Sequence, residues 1–220
     1  MIGGIRVKVC GLTSLADAAA AEAIGADYLG FILHPESPRN VSMEQFRSMR
    51  ARLEGRRLVG VCVCPPVGFL SRLIGEGADR VQVHAPHETS DEQLALWASE
   101  AGPSRLWLVP RLPPGSDVPA SWLGSADTFL LDTFDRRKFG GTGRTGDWDG
   151  YVRHRTGHPD KTWILSGGLG PDNIGRALAA TGARFVDVSS GVEVSPGLKD
   201  PAKLIGFAEA LRGAAASARS

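Results

Sequence analysis

The sequence has almost no excess charge and no long apolar run. It contains 25 Lys and Arg against 24 Asp and Glu, so it lacks the positive field that nucleic-acid binding requires. Its longest apolar runs, such as 58–66, are far shorter than the ~20 residues that span a bilayer. Residues 1–6 carry no pattern of an export or lipidation signal. We therefore expect a cytoplasmic protein with neither a nucleic-acid nor a membrane partner.

Cysteine is also scarce, with three residues at positions 10, 62 and 64. Cys62 and Cys64 form a C-x-C pair rather than the C-x-x-C of zinc or thioredoxin-like sites. This usage is typical of free thiols in a reducing cytoplasm. For Cys62 and Cys64 the pattern favours small core residues on a buried strand.

Eight short β-branched or apolar runs recur along the chain, each separated from the next by room for one helix. The runs are 7–10, 28–33, 58–63, 80–84, 106–109, 128–132, 163–166 and 185–189. Strands that alternate with helices predict a parallel α/β sheet. Eight near-equal units, with no G-x-G-x-x-G after the first strand, favour a closed (β/α)₈ TIM barrel over an open doubly wound sheet. We expect one domain over 1–220.

Turn and cap residues between the runs support this alternation. Ser42 with Gln45 and Ser90 with Gln93 have the spacing of capping boxes, and Gly25 and Gly182 stand where helices should end. Pro171 stands where the seventh helix should begin. The proline-rich segment 112–127 predicts an irregular fifth crossover or only a short turn. We expect the small-residue tail 213–220 to be frayed.

Functional residues of such a barrel lie at the carboxyl ends of its strands and in the loops that follow. The polar residues at these positions are Cys10, His34, Cys64, His84, Asp132, Ser166 and Ser189, followed by Arg39 in the second loop. Residues two apart on a strand share a face, so Cys10 and Lys8 should point inward while Val7 and Val9 face the helices. From its position alone, Cys10 could be either a buried structural residue or a catalytic one.

Cys10 and Asp132 are the candidates for proton transfer. A thiol acts as a base near neutral pH only if a cation or a helix N-terminus lowers its pKa. Asp132 ends an apolar strand, where an unpaired carboxylate is costly unless it meets solvent, a ligand or a partner. A carboxyl group that is partly desolvated there has a raised pKa and can act as a general acid.

Glycine-rich loops follow the seventh and eighth strands. Residues 166–171 and 189–191 read SGGLGP and SSG, and backbone N–H groups in such loops bind phosphate in these barrels. Glycines needed only for tight turns are the alternative. Residues 140–145 lack the spacing and the lysine of a P-loop, which excludes that class.

Two other chemistries fit some of these residues. His34, His84 and Asp132 together could bind zinc or iron, although no compact H-x-H or H-E-x-x-H pair is present. Lys8 could form a Schiff base as in class I aldolases, provided that burial lowers the pKa of its amine.

The sequence closely resembles the phosphoribosylanthranilate isomerase family of tryptophan biosynthesis. The matching stretches are 8–13 (KVCGLT), 25–31 (GADYLGF), 37–39 (SPR), 81–84 (VQVH), 131–133 (LDT), 140–145 (GGTGRT), 166–169 (SGGL) and 187–193 (DVSSGVE). They occur in order from the first strand to the last and cover essentially the whole chain.

The resemblance implies a (β/α)₈ barrel that needs no cofactor and no metal. It implies the Amadori rearrangement of N-(5-phosphoribosyl)anthranilate, a small phosphorylated substrate, to the 1-deoxyribulose 5-phosphate derivative. The implied roles are Cys10 as general base, Asp132 as general acid, Arg39 on the anthranilate carboxylate, Gly143, Gly168, Ser190 and Gly191 on phosphate, and His84 and Asp187 at the substrate. The protein is expected to be a monomer or a homodimer.

Three positions depart from the family pattern: Ala85 replaces a glycine, Cys64 an asparagine and Gly146 an aromatic residue. None belongs to the proton-transfer pair. The related isomerase family of the histidine pathway has a pair of aspartates where this chain has Cys10 and Asp132. Cys10 therefore distinguishes this chain from that family. A barrel that binds phosphate without catalysis is the alternative from another class.

Overall fold

The computed structural model describes residues 1–113, 115–132 and 146–217, in which eight parallel strands alternate with eight helices. The strands are β1 Arg6–Val9, β2 Tyr28–Ile32, β3 Leu58–Val63, β4 Arg80–Pro86, β5 Leu106–Arg111, β6 Thr128–Leu131, β7 Thr162–Leu165 and β8 Phe185–Val188. The helices are α1 Leu15–Ile24, α2 Met43–Arg50, α3 Phe69–Gly75, α4 Asp91–Ala101, α5 Ala120–Ser125, α6 Trp148–Gly157, α7 Ile174–Thr181 and α8 Pro201–Ser217. A 3₁₀ turn at Ser190–Val192 and an antiparallel hairpin, β9 Glu193–Ser195 and β10 Leu198–Lys199, connect β8 to α8.

Pairing of the first strand with the last closes the sheet. Lys8 of β1 lies opposite Asp187 of β8, and every other strand of the barrel pairs with its neighbours in sequence order. An open doubly wound sheet would leave β1 and β8 apart. The predicted (β/α)₈ barrel is therefore confirmed, and all eight predicted strands are present.

The barrel interior is a packed core, with aromatic residues at its amino-terminal end. Tyr28, Trp107 and Phe185 are buried at the starts of β2, β5 and β8, with ring centroids 5.0 to 5.5 Å apart. Val7 and Val9 belong instead to the larger core between strands and helices, as the alternation predicts. These aromatic side chains therefore fill the amino-terminal end of the barrel interior.

Local signals place most helix ends where the sequence indicates them. Ser42 and Gln45 form both hydrogen bonds of the capping box, and Gly25 and Gly182 end α1 and α7 in the left-handed conformation. The predicted start of the seventh helix at Pro171 is wrong, because α7 begins at Ile174 after a turn.

The helix of the fifth crossover is short, which agrees with the irregular crossover that the prolines of 112–127 predict. This helix, α5, has six residues, and it follows a segment in which residue 114 lies outside the described part of the chain. At the carboxyl terminus, α8 continues to Ser217, so 213–217 are helical where fraying is expected. No described helix has the length and apolar character needed to cross a membrane.

Candidate active site

The carboxyl ends of the strands surround an open pocket. The predicted site residues that line it are Cys10, Arg39, His84, Asp132, Gly168, Asp187 and Ser190. Gly191 is not among the lining residues, and Gly143 lies outside the described residues. Asp132 follows the last residue of β6 and is half-buried. Period-two alternation directs the strand residues among them inward, and the others come from the strand ends and the loops that follow.

A buried ion pair lies beneath the pocket, between the first strand and the last. Lys8 Nζ is 3.0 Å from both carboxylate oxygens of Asp187, and the Lys8 side chain is completely buried. Burial lowers the pKa of Lys8, but the Asp187 carboxylate and the Cys10 thiol outweigh it and leave the pKa above its ordinary value. A protonated amine cannot attack a carbonyl, so the structure disfavours the Schiff-base alternative.

Cys10 is buried on the same inner face of the barrel. Burial raises the pKa of its thiol above the ordinary value, while the Lys8 ammonium acts in the opposite direction. The net shift is upward, opposite to the lowering that a base near neutral pH requires. Of the cations that favour the thiolate form of Cys10, Lys8 has the largest effect.

Gly30 of β2 makes room for this pair. A Cβ at that position would lie 2.9 Å from Lys8 Cε and 3.1 Å from Cys10 Sγ, both closer than ordinary contact. Any larger residue would therefore displace the lysine or the thiol. The requirement for glycine comes from this close approach, since the backbone of Gly30 is that of an ordinary strand.

His84 stands at the mouth as a neutral imidazole. Burial, with the positive charge of Lys8 and His34, lowers the pKa of His84 to about 3. The amide nitrogen of Gln82, two residues earlier on β4, lies 2.9 Å from His84 Nε2. Because an amide nitrogen only donates, Nε2 accepts and Nδ1 carries the proton. His84 can thus offer one N–H to a ligand but no charge.

Arg39, in the loop after β2, is held by a carboxylate that the sequence analysis does not single out. Its Nε is 2.9 Å from Glu193 Oε1 and its Nη2 is 2.7 Å from Glu193 Oε2, a two-point ion pair across 154 residues of sequence. No local pattern could reveal a contact over that separation. The family motif that ends at Glu193 is the one signal that includes it.

The loop after β7 is fixed by a side chain from the start of α7. Asn173 Oδ1 accepts a hydrogen bond from Gly170 N–H at 2.9 Å, and its Nδ2 donates to the Gly168 carbonyl oxygen at 2.8 Å. Because these bonds hold residues 171–173 as a turn, the helix cannot begin at Pro171. Asn173 thereby sets the shape of the predicted phosphate loop.

Gly191 joins the two glycine-rich loops by packing. A Cβ at Gly191 would overlap the carbonyl oxygen of Leu169, so only glycine lets the loop after β8 lie against the loop after β7. This contact places Ser190 and Gly168 on the wall of one pocket.

The metal alternative receives no support from the geometry. Within residues 1–113, 115–132 and 146–217, no three His, Cys, Asp or Glu side chains are grouped so that they could hold a metal ion. In addition, His84 is already hydrogen-bonded through Nε2 to Gln82.

Cys64, just past β3, has an unusual backbone conformation. Its φ is +42°, a left-handed value that asparagine tolerates better than other non-glycine residues. We expect Cys64→Asn to raise the free energy of unfolding by about 1 kcal/mol. The matched variant Cys64→Val should lower it, because a β-branched side chain is most strained there. Urea denaturation measures both, and a valine variant as stable as the asparagine variant would contradict the strain.

Known proteins resemble this chain over nearly its full length. Residues 7–210 match the family model described as N-(5'-phosphoribosyl)anthranilate (PRA) isomerase. An N-(5'-phosphoribosyl)anthranilate isomerase of Zymomonas mobilis is 36% identical over 212 residues, which cover 94% of this chain and 98% of that protein. The crystal structure of TrpF from Jonesia denitrificans is 32% identical with a TM-score of 0.75, covering 96% of this chain and 98% of its own.

A further solved structure that resembles this chain contains a bound ligand. It is a phosphoribosyl anthranilate isomerase in complex with reduced 1-(o-carboxyphenylamino)-1-deoxyribulose 5-phosphate, with 29% identity and a TM-score of 0.71, covering 95% of this chain and 99% of its own. The family match, the relatives and the barrel agree, so the resemblance seen in the sequence is confirmed. The chain belongs to the N-(5'-phosphoribosyl)anthranilate isomerase family of aldose–ketose isomerases in tryptophan biosynthesis.

Proposed function

We propose that the chain carries out the family's Amadori rearrangement by general acid–base catalysis, with Asp132 as the acid and Cys10 as the base. The observation that carries the assignment is that both side chains line the same pocket, just after the ends of β6 and β1. Acid–base catalysis requires two such groups within reach of one substrate. The reaction converts N-(5-phosphoribosyl)anthranilate to 1-(2-carboxyphenylamino)-1-deoxyribulose 5-phosphate.

The first step opens the furanose ring. Asp132 gives a proton to the ring oxygen, the bond from that oxygen to C1 breaks, and the electron pair of the anthranilate nitrogen forms a Schiff base with C1. The C2 proton is now acidic, because the electrons of the C–H bond can move toward the positively charged nitrogen. Cys10 removes this proton to form an enolamine, which tautomerises to the aminoketone product.

Lys8 is the group proposed to stabilise the thiolate form of Cys10. Its ammonium is buried beside Cys10 and is paired with Asp187, so it is fixed in position and stays charged. A buried positive charge stabilises a neighbouring thiolate much more than an exposed one, because little water screens it. We propose that the main role of the Asp187 carboxylate is to hold Lys8 in position. Contact between Asp187 and the substrate stays a prediction.

Charged ends of the substrate are proposed to orient it. Arg39 binds the anthranilate carboxylate, and the loops at Gly143, Gly168, Ser190 and Gly191 bind phosphate through backbone N–H groups. His84 donates its Nδ1 hydrogen to a sugar oxygen. Two fixed ends hold the C2 hydrogen near Cys10 and the ring oxygen near Asp132, so that proximity contributes to the rate.

Arg39→Ala tests the carboxylate grip. We expect KM for phosphoribosylanthranilate to rise about 10- to 100-fold, with kcat little changed, because hydrogen bonds to a charged group are lost in substrate and transition state alike. Steady-state kinetics measure both constants. Arg47→Ala, on the exposed face of α2, is the matched control. An unchanged KM in the Arg39 variant would exclude the grip.

The setting of the protein follows from the same features. We propose a monomer or homodimer in the cytoplasm, folded as one domain, whose partner is this small phosphorylated substrate. The three cysteines are free thiols, as a reducing compartment favours. The near-balanced charge of the chain supports no nucleic-acid partner.

A further inference from the structure

A half-buried cation, Arg39, and a buried one, Lys199, share one buried carboxylate beside the pocket. Glu193 accepts the two-point contact from Arg39 and also a 2.7 Å hydrogen bond from Lys199 Nζ. Glu193 is 6% exposed and Lys199 is 3% exposed. Burial alone would raise the pKa of Glu193, but Arg39 and Lys199 outweigh it and hold that pKa below its ordinary value. Burial lowers the pKa of Lys199 below its ordinary value, although Glu193 acts in the opposite direction. With Lys199 and Arg39 protonated and Glu193 ionised, the cluster of these three residues has one positive charge in excess.

An excess buried charge is costly unless an anion compensates it. Arg39 is the member of the cluster that lines the pocket. The cluster is thus suited to an anionic group of the substrate that approaches Arg39 from the pocket. Within the proposed function, that group is the carboxylate of the anthranilate ring.

The shape of the guanidinium specifies how Glu193 acts. Glu193 engages the edge formed by Nε and Nη2, and a guanidinium has a second edge, between Nη1 and Nη2, that can bind another carboxylate in two-point contact. The stem of Arg39 passes close to Gly11, where a Cβ would lie 2.6 Å from Arg39 Cδ. Stem and head are therefore both fixed.

The hairpin that carries Glu193 and Lys199 is anchored twice to the segment that follows β1. Thr13 Oγ1 donates to the Gly197 carbonyl oxygen at 2.6 Å, and Lys199 N–H donates to Asp17 Oδ1 at 3.1 Å. Lys199 Nζ also lies 3.3 Å from the carbonyl oxygen of Ser189, which precedes the proposed phosphate loop. The cluster thus connects the two places proposed to hold opposite ends of the substrate.

We infer that Glu193 and Lys199 are positioning residues for substrate recognition: Glu193 orients the Arg39 guanidinium toward the substrate carboxylate, and Lys199 supplies the charge that makes the cluster attract it. The inference rests on the proposed function of Arg39. A merely structural role, in which the cluster only anchors the hairpin, would affect all substrates alike.

The test compares two substrates in the Glu193→Gln enzyme. One is N-(5-phosphoribosyl)anthranilate and the other is N-(5-phosphoribosyl)aniline, which lacks the carboxylate. We expect KM for the first to rise about tenfold with kcat changed less than twofold, and KM for the second to stay unchanged. Glu209→Gln, at an exposed position on α8, is the matched control and should leave KM unchanged for both substrates.

An equal rise of KM for both substrates, or no rise for either, would overturn the inference. Circular dichroism and the thermal midpoint show whether the Glu193 variant is folded. If it is not, Lys199→Gln is the test, and it must raise KM for the anthranilate substrate alone. Arg39→Ala, measured in parallel, separates the two proposals: if it too fails to distinguish the substrates, the carboxylate grip itself is wrong.

Discussion

Replacing Cys10 by serine should lower kcat by about 10²- to 10⁴-fold while ligand binding persists. The hydroxyl group is far too weakly acidic to supply a base, yet it is close in size to the thiol and leaves the pocket intact. The kcat is measured by following the fluorescence of phosphoribosylanthranilate. Binding is measured as the Kd of a reduced product analogue, which should change less than a few-fold.

Cys62→Ser provides the matched control for this result. Cys62 is also buried and its thiol also has a raised pKa, but it belongs to the core between strands and helices rather than to the pocket. We expect Cys62→Ser to affect stability and to leave kcat near the wild-type value. A Cys10→Ser enzyme that turns over at the wild-type rate would remove Cys10 from the role of base.

The Asp132→Asn enzyme should be impaired to a similar degree, by about 10²- to 10⁴-fold in kcat. An amide has the shape of the carboxyl group but cannot deliver a proton to the ring oxygen. Because the acid acts before the base, substrate with an intact furanose ring should remain bound in this variant. Single-turnover measurements with rapid quenching would detect it.

Asp127→Asn is the control for Asp132. Asp127 is exposed and precedes β6 at the opposite end of the barrel, so the same chemical change is made far from the pocket. We expect near-normal kcat in that variant. Activity retained by Asp132→Asn at the level of Asp127→Asn would assign the acid role to another group.

Local features of the sequence are sufficient to predict the barrel. Strand runs, caps and glycines act within a few residues, and β1 to β8 all appear where the runs lie. Alternation also places Lys8 and Cys10 on one face, as found. The predicted start of α7 at Pro171 is wrong for a local reason as well. The Asn173 side chain forms hydrogen bonds with the preceding loop, and the helix begins after it.

The electrostatics of the site cannot be predicted in this way. Lys8 meets Asp187 across 179 residues and Arg39 meets Glu193 across 154, and both pairs form only when the barrel closes. Whether a buried lysine is a nucleophile or a fixed cation depends on its partner. Here the Asp187 carboxylate keeps Lys8 protonated. The resemblance indicates which motifs matter, while the contacts show what Glu193 and Lys199 do in them.

The most direct test of the account is whether the dialysed wild-type protein, with no added cofactor, consumes N-(5-phosphoribosyl)anthranilate. The fluorescence of the substrate should fall steadily with wild-type enzyme and at a negligible rate with Cys10→Ser at the same concentration. No consumption by the wild-type protein, or equal consumption by the two, would contradict a rearrangement that depends on the thiol at the end of β1.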